Sequence, residues 1–449
     1  MKLSKHTILT KIYDSENYIL VNYLSGSADL LDKNEANLLQ NSITQKNWEN
    51  YHLTPYLMER GYLFTSWEEE DSLIQSKYLE FLEENEKTAT QLIFSTSYRC
   101  NFSCIYCFQK DYEQTIEKIS KNVTDQFFSY INQKFSNEKA QTYITLFGGE
   151  PLLGSEEYKN SLLYFLGKAT RYNYPIAIVT NGYELINYIP LLQNVGVKVK
   201  EIQVTVDGTE VTHNSRRPTK SKNETFARVM DGVDYALQSG YRINLRSVVD
   251  RSNIQELPHL AQYCNDRGFL DYPTNLFETT LGRNYELHTP QGTDQILNRY
   301  DMWLEFYNLA KKYPILKKYH KPSFHGMRFL SENDEMPLPI FDGCPACKKE
   351  WAFDANGDIF GCTASVGVQK YKLGNFLNNP EFTHKEQLAK WQERDVLTIE
   401  ECKDCPVNLS CGGGCGVIAA NQTGRIQSTD CRPVKELIGL GAAYYGIGG

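Results

Sequence analysis

The sequence predicts an α/β protein with a parallel sheet or barrel at its centre, a small winged-helix-like module before it and a cysteine-rich segment after it. Three observations carry this. Strand-like and helix-like runs alternate from about residue 89 to about residue 285, which is the pattern of parallel strands joined by helical crossovers. The order β-β-α-α-β fits into about the first 65 residues, and eight of the twelve cysteines fall between Cys344 and Cys431.

The N-terminal module rests on two strand-like runs, TILTKIY and NYILVNYL, joined by a polar Asp-Ser-Glu turn. Asp32 then stands three residues before Glu35 as a capping box, with Ala36, Leu38 and Leu39 behind it, so a helix starts there. A second helical segment, around Tyr51 to Arg60, ends at Gly61 and leads into YLF. From Trp67 to Lys87, Ile74, Tyr78, Phe81 and Leu82 follow helical spacing in an acidic setting. Residues 1 to 87 hold 8 basic and 15 acidic side chains and supply −7 of the net charge of −8. The plain reading of that excess is a solvated helix face; the sharper one is a surface that attracts a basic peptide.

Six strands are predicted in the central region: QLIFST (91–96), TYITLF (142–147), IAIVT (176–180), IQVTV (202–206), INLRSVV (243–249) and TNLFETT (274–280). Each of the first five leads into a loop with unusual residues, and in β/α barrels chemistry gathers on those loops. Past about residue 285 the periodicity weakens. Composition shifts therefore divide the chain into a module with a linker helix (1–87), a barrel (88–300), a bridging region (301–340) and a cysteine-rich domain (341–449).

The composition, 41% apolar and 23% charged, is that of a soluble globular protein. No apolar run approaches the roughly 20 residues of a membrane span, and Lys2 and Lys5 are not followed by a signal-peptide core. A cytoplasmic protein without a membrane partner is expected. Thiols stay reduced there, so twelve cysteines read as metal ligands rather than disulfides. The negative charge argues against a nucleic-acid partner.

The stretch RCNFSCIYCFQ sets Cys100, Cys104 and Cys107 at C-x₃-C-x₂-C directly after the first strand, with no nearby histidine. Structural zinc sites close with four ligands, whereas three thiolates suit a [4Fe–4S] cluster that keeps one iron open. Gly148-Gly149-Glu150-Pro151 follows the second strand, Thr180-Asn181-Gly182 the third and Asp207-Gly208 the fourth; Arg246 lies on the fifth. Glycines allow close backbone approach to a ligand, and a carboxylate suits an ammonium group.

On these residues the chain resembles the radical S-adenosylmethionine (SAM) superfamily, with Tyr106 as the aromatic residue of its C-x₃-C-x-Φ-C motif. The resemblance implies a partial (β/α)6 TIM-like barrel in which Cys100, Cys104 and Cys107 hold a SAM-binding cluster. It implies that Gly148, Gly149, Glu150 and Pro151 hold the SAM amino group, and that Thr180, Asn181, Asp207 and Arg246 lie near its ribose and carboxylate. HNSRRP (213–218) is similar to the family's HDxxRP segment, with Asn214 in place of the aspartate. The implied chemistry is reductive cleavage of SAM to a 5′-deoxyadenosyl radical, which takes hydrogen from an unactivated C–H bond.

At the C-terminal end, nine residues separate Cys347 from Gly357 and four more precede Cys362; Cys402-x₂-Cys405-x₅-Cys411-x₃-Cys415 and finally Cys431 follow. This pattern resembles the SPASM domain, which implies two auxiliary [4Fe–4S] clusters and three clusters in all. Cys402, Cys405, Cys411 and Cys431 would hold the second auxiliary cluster. Cys362 and Cys415 would join the first, with Cys344 and Cys347 both suitably spaced to complete it. If either is not a ligand, that cluster has an open iron. A zinc ribbon is the alternative reading of these cysteines. Cys264, in LAQYCNDRG, reads as a buried structural thiol.

The element order of the first 65 residues, with LSGSADLLDKNEANLL, resembles the recognition element of enzymes acting on ribosomally synthesised and post-translationally modified peptides (RiPPs). That element adds the leader peptide to a sheet as a further strand. The whole chain then reads as a radical SAM/SPASM maturase that cross-links a ribosomally made precursor peptide, with a cysteine thioether as the first expectation. Carbon–carbon cross-linking of side chains and formylglycine-forming sulfatase maturation are alternatives. A non-catalytic iron–sulfur or peptide-binding protein is the alternative from another class. A flavodoxin- or ferredoxin-type reductant is implied, and no catalytic acid or base is legible.

Overall fold

The computed structural model describes residues 1–49, 51–112, 118–284, 287 and 293–448. Strands β1 (Thr7–Lys11), β2 (Tyr18–Asn22) and β3 (Ser27–Leu31) form an antiparallel sheet in that order. The sequence pattern misses β3 because Asp29 interrupts its apolar run; in the fold that carboxylate accepts from Tyr62 at 2.6 Å and Arg60 at 3.1 Å. Helix α1 (Lys33–Gln45) begins with the expected capping box, and α2 (Thr54–Glu59) follows.

Helix α3 (Trp67–Lys87) ties this module to the rest of the chain. Its buried Glu70 accepts from the Ser4 hydroxyl at 2.6 Å and the Lys5 amide at 3.1 Å. Tyr78 donates to Asp395 at 2.9 Å, and Phe81 lies 5.7 Å from Phe341, while Leu82 is 39% exposed. The helix thus buries only part of its predicted stripe.

Six strands run parallel in chain order: β4 (Gln91–Ser95), β5 (Tyr143–Phe147), β6 (Ile176–Thr180), β7 (Val199–Thr205), β8 (Ile243–Val249) and β9 (Phe277–Arg283). They make the predicted barrel. Its outer face is covered by α4 (Lys121–Lys134), α5 (Glu156–Tyr172), α6 (Leu185–Val195), α7 (Glu210–Arg216), α8 (Phe226–Gln238) and α9 (Leu257–Asp266). Phe94 packs 4.6 Å from Phe127 and 4.9 Å from Phe165, which locks β4 under α4 and α5. Cys264 is fully buried in α9, as a structural thiol would be. The sixth strand starts three residues later than TNLFETT, after a turn at Phe269–Asp271 and Pro273.

The sheet does not stop at the cysteine-rich segment. Strand β10 (Glu350–Asp354) pairs parallel with β4, Glu350 opposite Gln91 and Asp354 opposite Ser95, and β11 (Asp358–Phe360) returns antiparallel across the DANGD turn. Helices α10 (Arg299–Lys312), α11 (Met327–Asn333) and α12 (Val434–Tyr445) close the far side. Leu437, Ile438 and Leu440 of α12 are buried in the core. Among the described residues no helix is long and apolar enough to cross a membrane.

Candidate active site

The loop after β4 and the loop after β5 are built against each other. The Gly149 amide donates to Ser97 O at 2.8 Å and the Glu150 amide to Arg99 O at 2.9 Å. A Cβ on Gly149 would lie 2.2 Å from Arg99 O, so a side chain there cannot coexist with this packing. The glycine requirement thus arises from the neighbouring cysteine loop itself. Glu150 is buried: its Oε1 accepts from Thr180 Oγ1 at 2.5 Å and the Leu152 amide at 2.8 Å, and its Oε2 from the Asn181 amide at 2.7 Å. Burial pushes this carboxyl up to about 7.

Asn181 Nδ2 reaches Cys100 Sγ at 3.8 Å, and the Phe102 amide donates to the same sulfur at 3.3 Å. Cys100, Gly148 to Pro151, Thr180 and Asn181 therefore converge, as the motif order requires. Burial pushes the Cys100 thiol up to about 12.

Asp207 is placed differently. It is fully buried behind the site wall, where Oδ1 accepts from the Val248 amide at 2.9 Å and Oδ2 from the Tyr106 hydroxyl at 2.5 Å. Arg216 adds a contact to Oδ2 at 3.4 Å and bonds Asp250 at 3.0 Å. Asn214 Oδ1 accepts from the amides of Thr225 and Phe226, both at 2.9 Å, so it holds the start of α8. Sequence reasoning quoted Arg217 within HNSRRP but gave it no role. Its guanidinium donates to the Tyr106 hydroxyl, and among the described residues its buried Nε has no hydrogen-bond partner.

A lumen of about 520 Å³ runs through the barrel. Alternate residues line it, Gln91 and Ile93 on β4, Thr145 and Phe147 on β5, Gln203 and Thr205 on β7, as the strand period of two dictates. Tyr106, Phe108 and Arg217 face it from the cysteine-loop end, and Cys344, Cys362 and Cys415 from the other. Arg246 also lines it, its guanidinium lying so close over Gly282 of β9 that an added Cβ would sit 2.4 Å from Nη2.

The C-terminal thiols fall into two electrostatically coupled sets. Burial first raises each of the following; Cys347 then feels Cys344, while Cys362 feels Glu350 and, behind it, Cys344 and Cys415. Cys402, pushed up to about 12, feels Cys411, Cys405 and Cys431. Among the described residues no three such side chains converge on the position of a single metal ion. Backbone amides point at Cys344 and Cys411, which suits thiolates spread over a cluster.

The CGGGC run is shaped by a residue that no motif announces. Arg394 is fully buried and donates to the carbonyls of Gly413 (2.7 Å), Gly414 (3.0 Å), Ile426 (2.9 Å) and Ser428 (2.9 Å). Gly412, Gly413 and Gly414 all have positive φ, from +62° to +76°, a conformation that glycine adopts without strain. Arg299 completes the brace by gripping Asp430 with bonds of 2.8 and 2.7 Å, and Asp430 accepts from the Cys415 amide at 3.2 Å.

The three-cysteine loop after β4, the GGEP loop after β5 and the lumen beneath them thus lie together in one parallel barrel. Residues 94–264 match the Radical SAM superfamily. A cysteine-type anaerobic sulfatase-maturating enzyme of Clostridium perfringens is 22% identical over 376 residues, covering 79% of this chain and 92% of that enzyme. Among solved structures, native anSMEcpe with bound AdoMet and Cp18Cys peptide superposes with a TM-score of 0.58 at 19% identity, covering 78% of this chain and 96% of that one. Streptococcus suis SuiB bound to S-adenosylmethionine superposes with a TM-score of 0.54 at 16% identity, covering 97% of this chain and 99% of that one.

Proposed function

We propose that the protein is a maturase that installs an intramolecular cross-link in a ribosomally made precursor peptide. The observation that carries this reading is the lumen of about 520 Å³, which Tyr106 and Phe108 of the cysteine loop face at one end and Cys344, Cys362 and Cys415 at the other, with room for part of a peptide. The SuiB likeness, which extends over the N-terminal module, supports it, and a SuiB structure is bound to precursor peptide SuiA.

In this reading Cys100, Cys104 and Cys107 hold the SAM-binding cluster, and Glu150 with Thr180, Asn181 and Arg246 holds SAM. The donor set suits both groups: half-buried thiols with an amide donating to Cys100, a carboxylate with acceptor capacity beyond its three donors, and beside them the Nε of Arg217, without a hydrogen-bond partner among the described residues. Bound there, cluster and SAM would supply one-electron chemistry able to take a hydrogen atom from a C–H bond. Cys344, Cys347, Cys362 and Cys415 hold one auxiliary cluster and Cys402, Cys405, Cys411 and Cys431 the other. The N-terminal sheet takes the leader, and a flavodoxin- or ferredoxin-type protein supplies electrons.

A thioether is the first expectation for the bond. Carbon–carbon cross-linking is the second, favoured by the complete set of four thiols around Cys344, which would leave no iron open. The sulfatase-maturase reading ranks lower because it gives the residues before Cys100 no evident use.

The test is iron and sulfide content of anaerobically prepared protein, wild type against Cys100/Cys104/Cys107→Ala, together with 5′-deoxyadenosine release. About twelve irons falling to about eight, with release lost in the variant, is expected. Four or fewer irons with zinc present would overturn it. Mass spectrometry with thiol alkylation of a short peptide encoded beside the gene then separates thioether from carbon–carbon products.

A further inference from the structure

Glu350 opens β10 and stands opposite Gln91, the first residue of β4, so it lies at the end of the barrel away from the cysteine loop, which follows the other end of β4. Its half-buried side chain lines the lumen beside Cys362. Oε1 accepts from the Thr363 amide at 2.8 Å and from the Thr363 hydroxyl at 2.6 Å, and these two bonds hold the carboxylate in one orientation. Both donors meet the same oxygen. Among the described residues Oε2 accepts no hydrogen bond.

The carboxylate has no ion pair either. Every lysine and arginine of the chain is among the described residues, and none of them pairs with Glu350. Its neighbours Lys348 and Lys349 turn away, to Asp342 at 2.5 Å and to Glu138 at 3.5 Å. Of the arginines that share the lumen, Arg217 bonds Tyr106 at the cysteine-loop end, Arg283 donates to Leu297 O at 2.9 Å and Arg246 lies against Gly282. Taking a carboxylate partly out of water is unfavourable unless a cation or further donors compensate it. Burial and then Glu350 raise the Cys362 thiol, so with thiolates in place this end of the lumen is more negative still. The compensating charge has to come from outside the chain.

We infer that Glu350 is a specificity-determining residue whose Oε2 receives a cationic side chain, lysine or arginine, of the peptide segment held in the lumen. Either side chain brings a positive charge and N–H donors to an acceptor that the chain leaves free, and a charge-assisted bond of this kind is among the strong ones. Thr363 acts through Glu350 as a positioning residue. The inference rests on the peptide-maturase reading and names a feature of the peptide that this reading leaves open.

The test is isothermal titration of the anaerobically prepared full chain with tripeptides blocked at both ends, alanine on either side of a central lysine, arginine or norleucine. The lysine and arginine probes are expected to bind on the order of tenfold tighter than the norleucine probe, and which of the two binds tighter names the cation the site takes. In Glu350→Gln the preference should disappear. That variant keeps an oxygen for both Thr363 donors, so its iron content and melting midpoint should stay near those of the wild type. Thr363→Val loosens the carboxylate without removing it and should weaken the lysine probe about threefold, so it reads the site even if Glu350→Gln loses iron. No detectable binding of the lysine and arginine probes, equal affinity for charged and norleucine probes, or a preference for charge that persists in Glu350→Gln would each overturn the proposal. Release of 5′-deoxyadenosine by a chain without this preference would remove the cation site alone. A preference that depends on Glu350, without any release, would remove the maturase reading instead.

Discussion

The Tyr106 hydroxyl donates to the Asp207 carboxylate at 2.5 Å and ties the cysteine loop to the end of β7. Arg217 donates to the same hydroxyl and Arg216 touches the same carboxylate, so a loop that must hold three thiols in place is anchored by a charged network behind it. Tyr106→Phe keeps the ring at the lumen but leaves Asp207 and Arg217 each short of a partner. A loss of about 1–3 kcal/mol is expected, with faster loss of iron from this loop than from the C-terminal sets. Melting midpoints and iron retention over time check it; a variant as stable and as iron-retentive as wild type would show that the tie bears no load.

Gly149 and Gly167 make opposite predictions. An added methyl at Gly149 collides with Arg99 O, whereas one at Gly167, exposed on α5, meets nothing within 4 Å. Gly149→Ala should separate the two loops and lower bound iron. Gly167→Ala should raise stability by about 0.5–1 kcal/mol, since alanine is the better helix former. Iron content for the first and a urea midpoint for the second decide both.

Arg394 should matter more than any single cysteine to the shape of the C-terminal loops. Its five-donor fork meets four carbonyls from two loop segments, a geometry that lysine cannot reproduce. Arg394→Lys leaves buried carbonyls unanswered, at about 1–3 kcal/mol each. The expected outcome is loss of auxiliary-cluster iron with the iron at Cys100, Cys104 and Cys107 retained, read by Mössbauer or EPR spectra. Full iron content in Arg394→Lys would contradict it.

Arg394 also marks the limit of what the sequence discloses. Strands β6 and β8 were legible to the residue because IAIVT is a nearly unbroken apolar run and INLRSVV opens on an apolar–polar alternation and ends on two valines, and the α1 capping box was legible because its two partners are three residues apart. The cysteine triad and the GGEP loop were legible because their spacing is local. Arg394, Arg217 and Asp29 were not, because each is explained by groups that only the fold brings near. Asp207 was legible as a motif residue, yet its contacts lie within the protein wall. The surface groove beside Tyr23 and Arg432 leaves no local signature, since its walls come from residues some 400 positions apart.

Asp354 gives a pH dependence. It is buried, and its carboxylate accepts from the Tyr98 hydroxyl at 2.9 Å and from the amides of Asn356 and Asp358 at 2.9 and 3.0 Å. Burial first, and then the neighbouring Asp358, push its carboxyl up to about 6. The folded protein therefore holds this proton more tightly than the unfolded chain. The resulting stability is full below the ordinary aspartate value of about 4 and is lost as pH rises through about 6. Asp354→Asn removes that dependence. Between pH 4 and pH 7 the wild type should lose on the order of 2 kcal/mol relative to the variant, measured by urea unfolding across the range. Parallel stability curves would show that Asp354 ionises normally.

Cys344 and Cys347 decide which bond the site can make. Cys344 faces the lumen, while Cys347 does not; it has φ of +61° and lies under Gly361, where a Cβ would sit 2.8 Å from its sulfur. A cysteine held in a left-handed conformation beneath a glycine, and coupled to Cys344, is placed by the surrounding chain rather than by its own preference. In the proposed reading Cys347 is the fourth ligand, which would close the cluster away from the substrate. Cys347→Ser should then lower iron from about twelve to about eight, as Cys415→Ser should. With the cluster closed, no iron is left to hold a substrate thiolate; that outcome would favour the carbon–carbon alternative over the thioether expected first, with the product's cysteine thiols open to alkylation. If Cys347→Ser keeps all its iron, the first auxiliary cluster has only Cys344, Cys362 and Cys415. All three face the lumen, so its open iron would be accessible to a substrate sulfur and the product would be a thioether.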